Sequence, residues 1–304
     1  MPADRLIARL AESAGRVPAR VPVHEVRQHT VDDLHDRTRG LLEVAGDTFG
    51  VAWQRADWTT QDDRTFVRLP EGAHAVVWHA SGTMTVSSGL APMAMPFDTI
   101  PPREELEELV RRRTEELRLT SWVGTDDVRF ERLWQVKAAG AAREGRMSEP
   151  TLFRTVGAYR QHVSGLPVWG RASLAVKLAD AGAFDSATMH VRQTTGEVID
   201  EVSTVPPDTG AAAVVAQLEA LLGRSDVSLD EIAQPQWMHF GYLSLSPRKA
   251  QRVLEPVYVA AVHLEGEYPQ GYLLAVNAGT KVYQPLNRSG SEPPPGRRRM
   301  PAPA

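Results

Sequence analysis

One succession occurs twice in this sequence and constrains it more than any other feature: a diproline, a single amphipathic helix, then short alternating segments bounded by turn residues. At the first occurrence Pro101-Pro102 introduces REELEELVRRRTEELRL, whose Leu106, Leu109, Val110, Arg113 and Leu117 fall on one helical face. Its acids cluster in the first turns and Arg111–Arg113 follow, an order that suits the helix dipole and sets Glu107 and Glu108 four residues before Arg111 and Arg112. At the second, Pro206-Pro207 precedes AAAVVAQLEALL, which Asp208 or Thr209 can cap and Gly223 stops, with Val214, Val215, Leu218, Leu221 and Leu222 on one face. A helix laid across an antiparallel sheet buries the apolar surfaces of both. The fold class read from this is α+β, with two consecutive helix-on-sheet units.

The alternating segments fill in the rest. VRFERLWQVKA at 128–138 places Val128, Phe130, Trp134, Val136 and Ala138 on one side of a strand. Further strands are predicted at 153–163, 167–178, 186–193 and 197–202, and after the second helix at 237–245, 256–264, 271–276 and 281–285, the last two joined as a hairpin by Asn277–Thr280. Ahead of the first diproline, helices are expected at 4–15, with Leu6, Ile7 and Leu10 as its stripe, and at 31–45. A β-meander follows at 66–69, 75–79 and 83–88. The chain therefore divides into 1–98 (helices and meander), 99–205 and 206–286 (the two helix-on-sheet units), and a tail at 287–304, NRSGSEPPPGRRRMPAPA, expected to be disordered, with Arg297–Arg299 as its one charge run.

Composition narrows the function classes. A formal net charge of -4 with 42% hydrophobic and 24% charged residues argues against wholesale disorder and against nucleic acid as a partner. With no cysteine there is no disulfide, thiolate nucleophile or thiolate metal ligand. The opening residues lack the apolar core of a secretory signal, and no apolar run approaches the roughly 18 residues of a membrane span, so the expected location is cytoplasmic with no membrane partner.

The segment Tyr159-Arg160-Gln161-His162-Val163-Ser164-Gly165-Leu166-Pro167-Val168-Trp169-Gly170, followed by alternating ASLAVKL, resembles the FTP module in propeptides of thermolysin-like and fungalysin metalloproteases. Residues 254–258 and 272–282 are similar to the PepSY module that follows FTP there, although Asn277-Ala278-Gly279-Thr280 stands where that module usually has Asp-Ala-x-Thr-Gly. The resemblance spans about 150–285 and comes without the protease domain. It implies cystatin-like or PepSY-like sheets and an inhibitory, chaperone-like or ligand-binding role toward another protein, such as a protease or an extended peptide. The first motif also has a local physical reason: Gly165 and Pro167 set a sharp reversal between apolar strand surfaces.

No linear catalytic signature supports an enzyme. His24-Glu25-Val26-Arg27-Gln28-His29 separates its histidines by five residues, which a helix turns about 140° apart, whereas a zinc-protease helix uses four. The adjoining His29, Asp32, Asp33, His35 and Asp36 read as a solvated polar stretch, and no metal or cofactor is expected. Nucleophile-elbow and phosphate-loop patterns are missing. His79 and His162 lie on predicted strands and are the only candidate general bases singled out, with a satisfied sheet histidine as the commoner outcome. For recognition, the solvent side of the sheet built from 128–193 is the first choice, with Arg129, Tyr159, Arg160, Trp169 and Arg171 as candidate contacts and edge-strand pairing as a mode. The expected function is a non-catalytic binding protein. The alternatives are an enzyme of specialised metabolism with a His or carboxylate base in a pocket between helix and sheet, and a structural subunit of a homo-oligomer; the oligomeric state itself is left open.

Overall fold

The computed structural model describes residues 4–49, 52–123, 127–140, 147–223, 229, 233–265, 270–284 and 286. The expectations for the tail at 287–304, Arg297–Arg299 included, lie outside them. In chain order the elements are α1 (Asp4–Ser13), β1 (Arg20–Val26), α2 (Val31–Phe49), β2 (Asp57–Thr60), β3 (Arg64–Arg68), β4 (His74–Trp78), β5 (Met84–Ser87) and α3 (Arg103–Glu116). They continue as β6 (Asp127–Ala138), β7 (Thr151–Val163), β8 (Leu166–Trp169), β9 (Leu174–Leu178), β10 (Phe184–Met189), β11 (Thr194–Ser203) and α4 (Pro207–Leu222). The last are β12 (Ala233–Leu243), β13 (Val253–Leu254), β14 (Pro256–Leu264) and β15 (Gln270–Asn277). The class is α+β, and no described helix is long and apolar enough to cross a membrane.

These elements gather into two units, each discontinuous in sequence. The smaller comprises Met1–Ala19, Ser203–His239 and Val257–Ala304; the larger comprises Arg20–Val202 and Phe240–Pro256. In the smaller unit α1 packs on α4, and α4 on β15, which pairs antiparallel with β14 along its length. Gly210 lets α4 approach the Tyr258 ring so closely that a Cβ there would sit 2.4 Å from Cδ2. The Tyr258 hydroxyl donates to Val205 O at 2.8 Å.

The larger unit holds an antiparallel run in the order β8-β7-β9-β10-β5-β4-β3-β2, with β6 on the other edge of β7. A separate three-stranded sheet has the order β11-β1-β13. One core joins Leu34, Leu41 and Leu42 of α2 and Leu106 and Val110 of α3 to the inward residues of β3–β5, β7, β9 and β10. Gly157 of β7 is where α3 comes closest: a Cβ there would lie 2.2 Å from Val110 Cγ1. Tight hairpins organise the run. Glu71-Gly72, Ser164-Gly165 and Ala181-Gly182 all carry positive φ, as the two central residues of a type I′ turn require.

Three strand expectations are corrected. The segment 167–178 is two strands, because the chain turns at Gly170 (φ 119°), where a Cβ would meet Ser244 O at 2.8 Å. Residues 281–284 do not form a strand, so there is no hairpin with 271–276; β15 takes β14 as its partner, and Gly279 instead bridges Thr204. The 186–193 strand stops at Met189, and His190–Gln193 leave the sheet.

Candidate functional site

The expected recognition face is the solvent side of the sheet from 128–193, with edge pairing as a mode, and an edge of that sheet is β6, a 12-residue strand whose outward edge has no described strand beside it. It pairs with β7 from Asp127↔His162 to Ala138↔Thr151, with register shifts at Phe130/Arg132 and Val136/Lys137. Along β6 only Leu133 is buried. Trp134 and Val136, two residues apart and so on one face, are 37% and 42% exposed, and Arg132 lies over the Trp134 ring at 5.2 Å. Arg103 Nη1 reaches Leu133 O at the long distance of 3.5 Å.

The predicted contact residues divide between surface and interior. Arg129 is exposed and pairs with Asp127, and Arg171 is exposed. Tyr159 is buried beneath α3, where its hydroxyl donates to Thr114 Oγ1 at 3.1 Å and burial raises its pKa. Arg160 is only 6% exposed: Nη2 donates to both Glu131 oxygens (3.0 and 2.7 Å), Nη1 to Val168 O and more distantly to Arg171 O, and its guanidinium lies over Trp169 at 5.1 Å. Trp169 donates from Nε1 to Phe240 O at 3.0 Å. So Tyr159 and Arg160 tie the sheet together instead of standing on its solvent side. Gln161 does the same, donating Nε2 to Arg192 O and accepting Arg192 N–H.

The two candidate bases stand apart from one another. His162 donates from Nδ1 to Arg160 O at 3.2 Å; burial first, then nearby Arg129, lowers its pKa. His79 donates from Nδ1 to Asp62 O at 3.3 Å, so in the neutral ring Nε2 is left to accept the Thr65 hydroxyl proton at 2.9 Å. His35 Nε2 reaches the same hydroxyl at 2.9 Å and must then be its donor. The lone pair of His79 is thereby engaged. His24, expected to fall outside any zinc-protease helix, sits on β1 with Nε2 at 3.0 Å from Ser164 Oγ.

A serine and a histidine that the sequence reading passed over also meet. His190 Nε2 lies 3.0 Å from Ser244 Oγ, and Nδ1 lies 2.7 Å from Thr83 Oγ1, which accepts from Ser81 Oγ at 2.8 Å. The Thr83 proton therefore points to Nδ1 and the ring proton on Nε2 points to Ser244, which also accepts Arg192 Nε–H at 3.3 Å. That polarity is the reverse of what activates a serine nucleophile, and a hydroxyl rather than a carboxylate holds the far nitrogen. Burial and the adjacent Arg192 and Arg171 push His190 down to about 4, so it is neutral near pH 7. The group is a buried polar network.

No family model and no curated protein matches this chain. Among solved structures it is similar to an uncharacterized protein from Eubacterium rectale, with a TM-score of 0.54 and 12% identity, covering 90% of this chain and 88% of that one. At that identity the likeness is one of fold.

Proposed function

We propose that this protein is a non-catalytic binding module that takes an extended segment of another protein along the open edge of β6. The observation that carries the reading is the edge itself: 12 residues, roughly 40 Å of strand, one described strand partner, and exposed Trp134 and Val136 beside it. Natural sheets usually shorten or cover such edges, because the unpaired N–H and C=O groups template a further strand. Main-chain pairing would supply affinity there, and pockets for alternate side chains would supply selectivity. The likeness of 150–285 to FTP and PepSY modules, with cystatin-like sheets, supports a partner of the protease class and an inhibitory or chaperone-like outcome.

The test titrates the purified chain against catalytic domains of thermolysin-like and fungalysin metalloproteases, reading residual activity together with amide exchange. Micromolar or tighter association that protects β6 amides, and is lost in Trp134→Asp, supports the reading. Protection confined to other strands, or no association with either protease class, overturns it. Self-association that protects β6 would favour the homo-oligomer alternative. Cavities the enzyme alternative can draw on include one of about 80 Å³ beside His79 and one of about 270 Å³ lined by Glu12, Ser13 and Trp237, both below the roughly 300–1,000 Å³ of ordinary substrate pockets.

A further inference from the structure

Four segments of the larger unit end at one place: Val26–His29 after β1, His79–Gly82 between β4 and β5, Arg192–Gln193 before β11, and Ala250–Gln251 before β13. Together they line a cavity of about 80 Å³, room for several water-sized groups. Its wall carries two arginines, Arg27 and Arg192, and two histidines, His29 and His79, with no carboxylate.

Arg192 decides the chemistry. Its side chain is among the largest that are fully buried, at 2% exposed, and no carboxylate pairs with it among the described residues. Nη2 divides between the carbonyls of Leu245 (3.0 Å), Ser246 (3.2 Å) and Lys249 (3.0 Å), and Nε goes to Ser244 Oγ. Nη1 makes one contact, to Ala80 O in the cavity wall at 3.5 Å, the limit of a hydrogen bond. A buried guanidinium is thus met by dipoles alone, with the Nη1 protons the least satisfied. Burial lowers its pKa only to about 10, so the charge persists at neutral pH. Buried charges in proteins are paired as a rule, since an unpaired one costs several kcal/mol.

The surroundings add a further cation, Arg37, whose charge the nearby Asp33 carboxylate offsets in part. Arg37 Nη1 donates to His29 Nε2 at 3.1 Å, which puts the proton of the neutral ring on Nδ1 and holds that cation behind the wall. Arg27 anchors its backbone by donating N–H to Gln193 O at 2.7 Å, while its side chain is exposed at the cavity mouth.

We propose that this cavity binds a small oxyanion, an inorganic phosphate or the carboxylate of a small organic acid, whose oxygens accept the Nη1 protons of Arg192 and pair with Arg27. Guanidinium forks suit both groups. The site is independent of the β6 reading, because no β6 residue lines it.

Calorimetric titration of the full chain in low-chloride buffer at pH 7 tests it, with phosphate in one arm, formate in another, and sodium chloride as the ionic-strength control. Saturable binding of one equivalent of phosphate or formate, absent with chloride, is the expected result, and the stronger arm identifies the natural group. Arg27→Gln, which alters an exposed side chain, should weaken binding about tenfold, or about 1.4 kcal/mol. Arg192→Lys keeps the charge and loses the fork; it should abolish binding in whatever fraction stays folded by circular dichroism. No saturable response in either anion arm, an equal response to chloride, or unchanged binding in Arg27→Gln would overturn the assignment.

Discussion

β6 and β7 are hydrogen-bonded neighbours along nearly their whole lengths, yet one is mostly exposed and the other buried at almost every position. Apolar content does not explain the contrast, since β7 carries Arg154, Arg160 and Gln161 inside. Position does. β7 is paired on both edges and lies under α3 at Gly157 and Tyr159, whereas β6 has one strand partner among the described residues. A strand placed there must bring partners for its polar groups. Arg154 bonds Asp185 and the carbonyls of Ala91 and Ala94, and Arg160 bonds Glu131. The difference teaches that interior and edge are assigned by sheet order.

That contrast can be broken by measurement. Leu152→Ala empties a fully buried site on β7 and should cost about 2–5 kcal/mol in urea denaturation, against at most about 0.5 for Val136→Ala on β6. Equal costs would erase the distinction. Next in size is an acid limb from the interior. The folded pKa of His190 is pushed down to about 4 from 6.5, so the unfolded chain takes up a proton first as pH falls. Stability present above pH 6.5 is therefore lost between 6.5 and about 4, on the order of 3 kcal/mol, and His190→Asn should flatten that part of the pH–stability curve.

Across the strand pair itself, Glu131→Ala leaves the buried Arg160 guanidinium without its carboxylate and should cost about 1–3 kcal/mol, less than a fully enclosed pair because Glu131 is partly exposed. The smallest stability effect belongs to Trp134→Ser, within about 0.5 kcal/mol by thermal melting. The same variant should still lose partner binding, and a large drop in melting temperature would show that Trp134 serves the fold instead.

Much of this architecture was legible from periodicity. Helices α1–α4, the meander and the long strands β6, β7 and β14 stand close to where the spacing placed them. What escaped was set by distant segments. β1, around His24, drew no strand assignment; it is a strand between β11 and β13, both distant in the sequence. Residues 167–178 alternate like one strand, and the break at Gly170 is imposed by the Ser244 backbone. At the site level, Arg129 and Arg171 are on the surface as read, but Tyr159 and Arg160 point to partners in α3 and β6 that no local pattern announces. His190 and Arg192 sit in an ordinary-looking MHVRQ; their burial comes from segments near Ala80 and Ser244, which left no signal nearby in the sequence.

The interleaving of the two units has a consequence for synthesis. Leu6 and Leu10 of α1 are buried in the smaller unit, where α1 packs on α4, but the whole stretch Arg20–Val202 separates those helices in the chain. A ribosome therefore delivers α1 long before its docking partner, and the larger unit in turn waits for Phe240–Pro256. Such late, long-range closure slows folding and leaves apolar stripes exposed on the nascent chain. The order of the segments thus leaves α1 without its packing partner until α4 has been made.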